Sequence, residues 1–421
     1  MTAKAKPRLL VLGGGFGGLE SAFYLRWRLG DRADITLVSE QEHFVYKPNT
    51  IYIPFGLDPK KLRIDLSRPT KRQGIEFVQG RVQEIDPTAK SVRVDKQGLT
   101  YDFLVVATGA DMRPAEVPGL VENGLSVWTE QDMLKLREAF EKLASSAGPG
   151  ERKRVIFLLP PNNKCSGPLY EIVLMLETWL KRKKVREHVD IIWTTFEKGY
   201  IQVFGPRLHE VIGGEFDRRG IEGRTEHVVS EVEPGQITYE NGERLAYDFL
   251  ISFPPYVAGT RYSALPADDR GFLRTVFETR QVVEHPEVYA VGDTADFPVK
   301  QAFEAFLQAD TAAEHLATEV LGKSGAKPFD PTSMCVMDML DKATFAQVPL
   351  RLTGRPELPV EVRPEDIGRY KVGTSAAWRV GKKILALYLP YRFKRGKPFH
   401  AGAPWRVMEA GLKLMSRVLA K

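Results

Sequence analysis

The sequence is poor in cysteine: only Cys165 and Cys335 occur in 421 residues. Two thiols 170 positions apart cannot staple a secreted framework, so they are either buried fillers or chemistry. Long apolar runs are missing as well. No stretch approaches the roughly 18 uninterrupted apolar residues of a membrane-crossing helix. The start MTAKAKPRLLVLGGG runs directly into a strand and a glycine loop, which leaves no room for a signal peptide. The expectation is a protein made and kept in the cytoplasm. Acid is scarce at one end. From Arg379 to Lys421 eleven basic residues face the single acid Glu409, a local charge of +10 against +6 for the whole chain, so the remainder carries −4. Such a field attracts an anionic surface locally. Nucleic acid is not the expected partner, because no recognised nucleic-acid-binding fold accompanies the basic tail.

What is present is an ordinary globular composition, 43% hydrophobic and 27% charged, with length for two or three packed units. Arg8 to Leu12 form a short apolar strand, and Gly13-Gly14-Gly15-Phe16-Gly17-Gly18 follows as G-x-G-x-x-G ahead of a helical stretch. Gly13 permits the tight turn, Gly15 the approach of a pyrophosphate to bare backbone, and Gly18 the packing of helix on strand, with the helix N-terminus facing the phosphate charge. The second strand, Ile35 to Val38, leads to Glu40, 22 residues past Gly18, where an acid holds ribose hydroxyls. Dinucleotide binding follows. Tyr101 to Ala110, with Ala107-Thr108-Gly109, and Val288 to Asp293, with Gly292-Asp293, resemble the two flavin fingerprints of two-dinucleotide-domain flavoproteins of the glutathione reductase type, and both fit FAD. By that resemblance Asp293 binds the ribityl chain and Lys300 lies beside the flavin ring, where a cation stabilises the reduced form. The alternatives are a turn acid for Asp293 and a solvated loop lysine for Lys300.

Such flavoproteins repeat the glycine loop in an inserted domain that binds NADH. Here the corresponding strand, Arg154 to Leu159, runs into Pro160-Pro161-Asn162-Asn163-Lys164-Cys165-Ser166-Gly167. Proline has no N–H and a φ fixed near −65°, so this loop can neither cradle a pyrophosphate nor make the glycine turn. The helix after it persists from Leu169 to Leu176. What replaces the cradle is Cys165 near a helix N-terminus, where the dipole and Lys164 favour the thiolate. Cys335 lies beyond the second flavin fingerprint. Two thiols on one face of a flavin make a two-electron relay; the alternative is that both are buried fillers.

The order of these motifs is that of a known family. The glycine loop, Ala107-Thr108-Gly109, the segment Cys165-x-Gly167-Pro168-x-Tyr170-Glu171, the segment Tyr247 to Pro255 ending F-P-P, Val291-Gly292-Asp293 and Cys335 together resemble sulfide:quinone oxidoreductases and the related flavocytochrome c sulfide dehydrogenase flavoproteins, over residues 8 to 345. The resemblance implies that Cys165 and Cys335 take up sulfide on one face of the flavin while quinone is reduced on the other, with Glu171 as a proton acceptor; the alternative for Glu171 is an ordinary first-turn glutamate. Two departures stand out. The third cysteine of many relatives is missing from Val121 to Asp132, and His43 to Pro48 lacks the cysteine of covalent attachment, so FAD is expected to be noncovalent.

The expected fold is α/β, with two Rossmann-like dinucleotide-binding domains and a C-terminal membrane-associating segment. The boundaries read as 1–115 and 266–345 for the FAD-binding domain, 116–265 for the second domain and 346–421 for the tail. In the tail Trp405, Met408, Leu412, Met415 and Leu419 form one helical apolar stripe with Arg406, Lys413 and Arg417 off it, the composition of a helix lying in a membrane interface. The alternative is a terminal helix docked on the body. A peripheral cytoplasmic membrane enzyme oxidising sulfide, or another small sulfur species, and reducing quinone is the reading that results. A type II NADH:quinone dehydrogenase and a non-catalytic redox-sensing flavoprotein are its rivals. No metal is expected, and a homo-oligomer is compatible with the sequence without being specified by it.

Overall fold

The computed structural model of the chain describes residues 5–420; the first four residues of the start read above, and Lys421 of the basic tail, lie outside the described residues. The chain opens with β1 (Arg8–Leu12), α1 (Phe16–Leu29), β2 (Asp34–Ser39), β3 (Glu76–Gln79) and β4 (Phe103–Val106). These strands pair in parallel in the order β4-β1-β2-β3. Leu9 to Leu12 are each at most 3% exposed, which is why β1 reads as an unbroken apolar run rather than an alternating one.

The chain then leaves to build a second sheet from β5 (Leu125–Ser126), β6 (Lys153–Leu159), β7 (Val189–Thr195), β8 (Ile221–Arg224) and β9 (Phe249–Ser252), with α2 (Gly167–Lys183) following β6. Its order is β5-β9-β6-β7-β8, again all parallel. On return, β10 (His285–Ala290) pairs in parallel with β4, and the short strand Gln281–Val282 lies antiparallel on its other side as the edge of the first sheet. From there α3 (Ala302–Val320) packs on α1 through Ala309, Ala312 and Ala313, whose small side chains let the two helices approach closely. The fold is thus α/β, with two parallel sheets of the dinucleotide-binding kind, each β-glycine-loop-α or β-loop-α unit opening toward the other.

Antiparallel strands β11 (Thr332–Asp338), β12 (Ala343–Arg355) and β13 (Lys371–Ser375) come next, then the terminal helices α4 (Ala376–Lys394) and α5 (Gly402–Leu419). The tail differs from the sequence expectation in one respect. The stripe Trp405, Met408, Leu412, Met415 and Leu419 is half-buried and faces the body, with Trp405 on the α1/α3 core and Leu412, Met415 and Leu419 on a small core around Trp378 and Phe345. Trp378 stacks on Phe345 at 4.0 Å and anchors this corner. The apolar residues left outside are a different set: Val380, Ile384, Leu387 and Tyr391 on α4, and Val407, Leu414 and Val418 on α5. The helices carry apolar residues on both sides, and the aromatic side won the protein interior. No helix among the described residues is long and apolar enough to cross a membrane.

Candidate active site

One cavity of about 630 Å³ runs from the first glycine loop, past both cysteines, to the terminal helices. That volume suits a small-molecule or cofactor site. At its first end the three glycines divide the work as their spacing predicts. Gly13 has φ +111, and a Cβ on it would lie 2.2 Å from the Ala107 carbonyl oxygen. Gly15 caps α1 and opens onto the cavity, since a Cβ there meets nothing within 4 Å. Gly18 is off the cavity wall and serves packing: its Cβ would lie 1.8 Å from the Gly13 carbonyl oxygen. Glu40 stands exposed on the wall just past β2.

Thr108, Gly109, Gly292 and Asp293 line the middle of the cavity, with Thr108 Oγ1 and Thr294 Oγ1 3.3 Å apart. Gly109 and Gly292 take φ of +75 and +70, conformations that favour glycine. Burial raises the Asp293 carboxyl above its ordinary pKa, opposed by Lys300 and Lys47. Lys300 is 3% exposed, which removes the solvated-loop reading. Its ammonium donates to the Ala295 carbonyl and sits 3.9 Å from the Phe272 ring, and burial pushes its pKa down to about 7. These residues fit FAD: a bare-backbone loop at a helix N-terminus, an acid past the second strand, and a half-buried acid with a buried lysine further along the cavity.

The loop Pro160 to Ser166 is fastened to the F-P-P segment. Asn163 Nδ2 donates to the carbonyls of Phe253 (2.9 Å) and Pro254 (3.3 Å), the Tyr256 N–H donates to the Asn162 carbonyl at 3.1 Å, and the Cys165 N–H donates to Asn163 Oδ1 at 2.9 Å. The asparagines thus do the holding that glycine backbone does in a phosphate loop, and they aim Cys165 into the cavity. Cys335 arrives on β11. The two thiols share one cavity: a Cβ built on Gly167, two residues past Cys165, would lie 3.9 Å from Cys335 Sγ, and both cysteines are free and line the cavity.

Their protonation departs from the expectation. The Gly167 N–H at the start of α2 favours the Cys165 thiolate, but burial outweighs it, and Cys335, Asp293 and Glu171 add to the rise, so the pKa lies well above that of a free thiol. Burial pushes Cys335 up to about 12. Lys164 does not line the cavity, and burial, with the like charge of Arg270, lowers its pKa.

Glu171 is 5% exposed and lines the same cavity. It is paired with Lys382 of α4, whose Nζ lies 2.7 and 2.6 Å from its two oxygens. Burial raises Glu171 to about 7 against the pull of Lys382. Sequence reading missed Lys382, which it counted only as one of the tail's charges. A signal existed: Trp378, Lys382, Leu385 and Leu389 recur at helical spacing, so the lysine stands in an apolar stripe. Lys47 was also missed; it reaches over the Trp128 ring at 3.5 Å inside the cavity. The far wall is apolar and comes from the tail, including Leu385, Leu389, Phe399 and Trp405.

Away from the thiols, Glu20, Asp310 and His400 bring ligand-type atoms within 4.8 Å of one another. Glu20 accepts the backbone N–H groups of Phe399 (2.8 and 2.6 Å) and His400 (3.2 Å), so the cluster ties the link between α4 and α5 to α1 and α3.

Residues 7–150 match the family described as pyridine nucleotide-disulphide oxidoreductase. The chain is 30% identical to the sulfide-quinone reductase of Aquifex aeolicus (strain VF5) over 242 residues, which cover 55% of this chain and 54% of that one. The match thus spans about half the length of that relative. It is 25% identical to the mitochondrial sulfide:quinone oxidoreductase of Mus musculus over 320 residues, 71% of this chain and 68% of the other. Among solved structures, the sulfide:quinone oxidoreductase from the hyperthermophilic bacterium Aquifex aeolicus superposes with a TM-score of 0.84 at 22% identity, covering 97% of this chain and 96% of that one. With the flavin fingerprints, the displaced second loop and the two thiols on one cavity wall, these matches lead to one conclusion: the chain carries a pyridine nucleotide-disulphide oxidoreductase segment over residues 7–150, has the fold of that FAD-binding class, and is similar to sulfide:quinone oxidoreductases.

Proposed function

We propose that this chain oxidises sulfide, or a related small sulfur species, at the Cys165 and Cys335 pair and passes the electrons through FAD to a quinone at a membrane surface. The observation that carries the reading is that both thiols line one cavity that also holds the flavin fingerprints. FAD, when bound, accepts the electron pair and hands it to the quinone. The chain's own residues do the rest. With the pair oxidised, hydrosulfide attacks one sulfur, a persulfide forms there, the disulfide bond breaks, and the other cysteine leaves as a thiolate carrying the electron pair. The incoming hydrosulfide is the nucleophile in this order, so no protein thiol has to ionise before the attack; the raised thiol pKa values instead make the departing thiolate a poor leaving group. Glu171 takes the proton released at the sulfur, and Gly13, Gly15, Glu40, Thr108, Gly109, Gly292, Asp293 and Lys300 hold the cofactor, with Gly18 packing the helix behind it.

The chain divides in this reading into an FAD-binding domain (1–115 and 266–345), a second Rossmann-like domain (116–265) and a membrane and quinone region (346–421). The outward apolar residues of α4 and α5, flanked by the basic tail, support docking on an anionic bilayer from the cytoplasmic side. The apolar tail wall of the cavity supports a quinone site there.

Anaerobic mixing of the purified protein with sulfide, and separately with NADH, tests the reading by flavin absorbance. Sulfide is expected to bleach the flavin and NADH to leave it oxidised; Cys165→Ser is expected to keep FAD and lose the sulfide response. Bleaching by NADH alone replaces this reading with the type II dehydrogenase, and normal bleaching by sulfide in Cys165→Ser removes the cysteine from the chemistry.

A further inference from the structure

The proposed reaction brings an anion, hydrosulfide, into a cavity whose wall already carries Glu40, Glu171 and Asp293. An anion entering such a space needs a cation that is not already engaged. The lysines and arginines on the wall are Lys47, Arg81, Lys300 and Lys382. Lys382 is held by Glu171, and Lys300 donates to the Ala295 carbonyl. Arg81 follows β3 at the nucleotide end, where Gln79 Nε2 donates to the Glu40 carbonyl at 3.4 Å. Lys47 is the one left.

Its backbone is fixed on both sides. The Tyr46 N–H before it donates to the Leu62 carbonyl at 2.9 Å, and Thr50 Oγ1 donates to the Lys47 carbonyl at 2.7 Å. Its side chain is exposed to the cavity, with Nζ 3.5 Å from the centre of the Trp128 ring. Burial lowers its pKa, and the charges of Asp293 and Asp111 oppose the change, but neither acid forms an ion pair with it among the described residues. An ammonium has three donors, and an aromatic face occupies only one side of it. The other side is open to the cavity.

Trp128 in turn belongs to the wall that carries the thiol loop. Its ring lies 6.1 Å from Phe253 and 5.6 Å from Tyr256. Those two residues hold the loop, through the Phe253 carbonyl that accepts from Asn163 Nδ2 and the Tyr256 N–H that donates to the Asn162 carbonyl. Trp128, Phe253, Tyr256 and Cys165 all line the one cavity. A cation fixed on this aromatic surface is poorly screened by water, so its attraction for a small anion is stronger than it would be on the outer surface.

We propose that the Lys47 ammonium, held over Trp128, is the seat at which hydrosulfide, or another small sulfur anion, is bound before it reaches the thiols. The inference rests on the sulfide reading above and names the residue that selects the substrate by charge. No bond forms or breaks at Nζ, and no proton changes hands there. The lysine contributes to binding alone.

The test reads flavin bleaching in FAD-loaded protein mixed anaerobically with sulfide at fixed pH and salt, with the sulfide concentration varied. Lys47→Met removes the charge and keeps a long side chain on the Trp128 ring. It is expected to raise the half-saturating sulfide concentration at least about tenfold while the limiting rate stays within about twofold. Lys47→Arg, which restores a cation, is expected to recover most of the loss. Thiocyanate, a small anion that does not reduce flavin, is expected to compete with sulfide in the unaltered protein and to compete at least about tenfold less well in Lys47→Met. An unchanged half-saturation, a loss confined to the limiting rate, or Lys47→Arg no better than Lys47→Met overturns the anion seat while the sulfide reading stands. Loss of FAD from Lys47→Met assigns the lysine to the cofactor and overturns the seat as well. An unaltered protein whose flavin sulfide does not bleach overturns the sulfide reading and the seat together.

Discussion

At the scale of single residues, the legible part of the site is the part whose purpose is local. Gly13, Gly15 and Gly18 declare themselves because each answers a constraint set within a few residues: a positive φ, an open approach, a helix resting on a strand. Gly13→Ala tests this directly. Its Cβ would have to enter the Ala107 carbonyl while the backbone stays at φ +111. Strain of this kind costs about 1–3 kcal/mol, so FAD affinity is expected to fall by about 5- to 150-fold, measured by titrating apoprotein with FAD and following flavin fluorescence. An unchanged affinity would mean that the loop has room the structure does not show. Lys382 marks the opposite case. Its partner Glu171 lies 211 positions away, and neither helix announces the other in sequence. Cysteine protonation was misread for a similar reason: the helix N-terminus beside Cys165 is visible in the sequence, whereas the burial that overrides it is a property of the assembled cavity.

At the scale of elements, periodicity predicts that a helix has an apolar side but not what that side meets. The strands β1, β2, β4 and β10 were readable because a parallel strand buried on both faces has only one place to go. The tail helices have two apolar sides each, and the structure assigns Trp405, Leu412 and Met415 to the body and Leu387, Val407, Leu414 and Val418 to the outside. The two sets should respond to substitution in opposite ways. Leu387 and Leu414, 74% and 64% exposed, gain about 1.5 kcal/mol or more each on entering lipid. Changing both to Gln is expected to weaken co-sedimentation with anionic vesicles by roughly 100-fold with an unchanged melting midpoint. Met415→Ala is expected to lower stability by about 1 kcal/mol or more and leave vesicle binding intact. If the double variant sediments normally, the outward stripe is not the docking face.

At the scale of the whole molecule, the converging sheets and the tail bury carboxyls at several sites far from one another, and stability should record it. Burial pushes Glu171 and Glu197 up to about 7, and Glu304 and Asp310 up to about 8. A carboxyl whose folded pKa is raised holds a proton that the unfolded chain has already lost. Its contribution is present below the ordinary carboxylate pKa and disappears as pH climbs to the folded value, at about 1.4 kcal/mol per pH unit for each proton so held. Two groups work the other way. His400, depressed to about 4, favours folding as pH rises only until its unfolded form has deprotonated, and Lys300, depressed to about 7, begins to do so only above neutrality. Carboxyls held below their ordinary range, such as Asp102 beside Arg8 and Glu314 beside Arg28, have finished titrating by pH 6. Between pH 6 and 7.5 the four raised carboxyls therefore outnumber their opponents, and the melting midpoint of the protein is expected to fall across that interval. Glu197 lies away from the flavin cavity, held by the Gln202 N–H at 3.0 Å and the Thr195 hydroxyl at 3.2 Å, so Glu197→Gln isolates one share of the effect. That variant should show a shallower slope and a smaller loss at high pH, read by calorimetry at fixed FAD and salt. A midpoint that rises from pH 6 to 7.5 would mean that these carboxyls are better solvated than their burial implies.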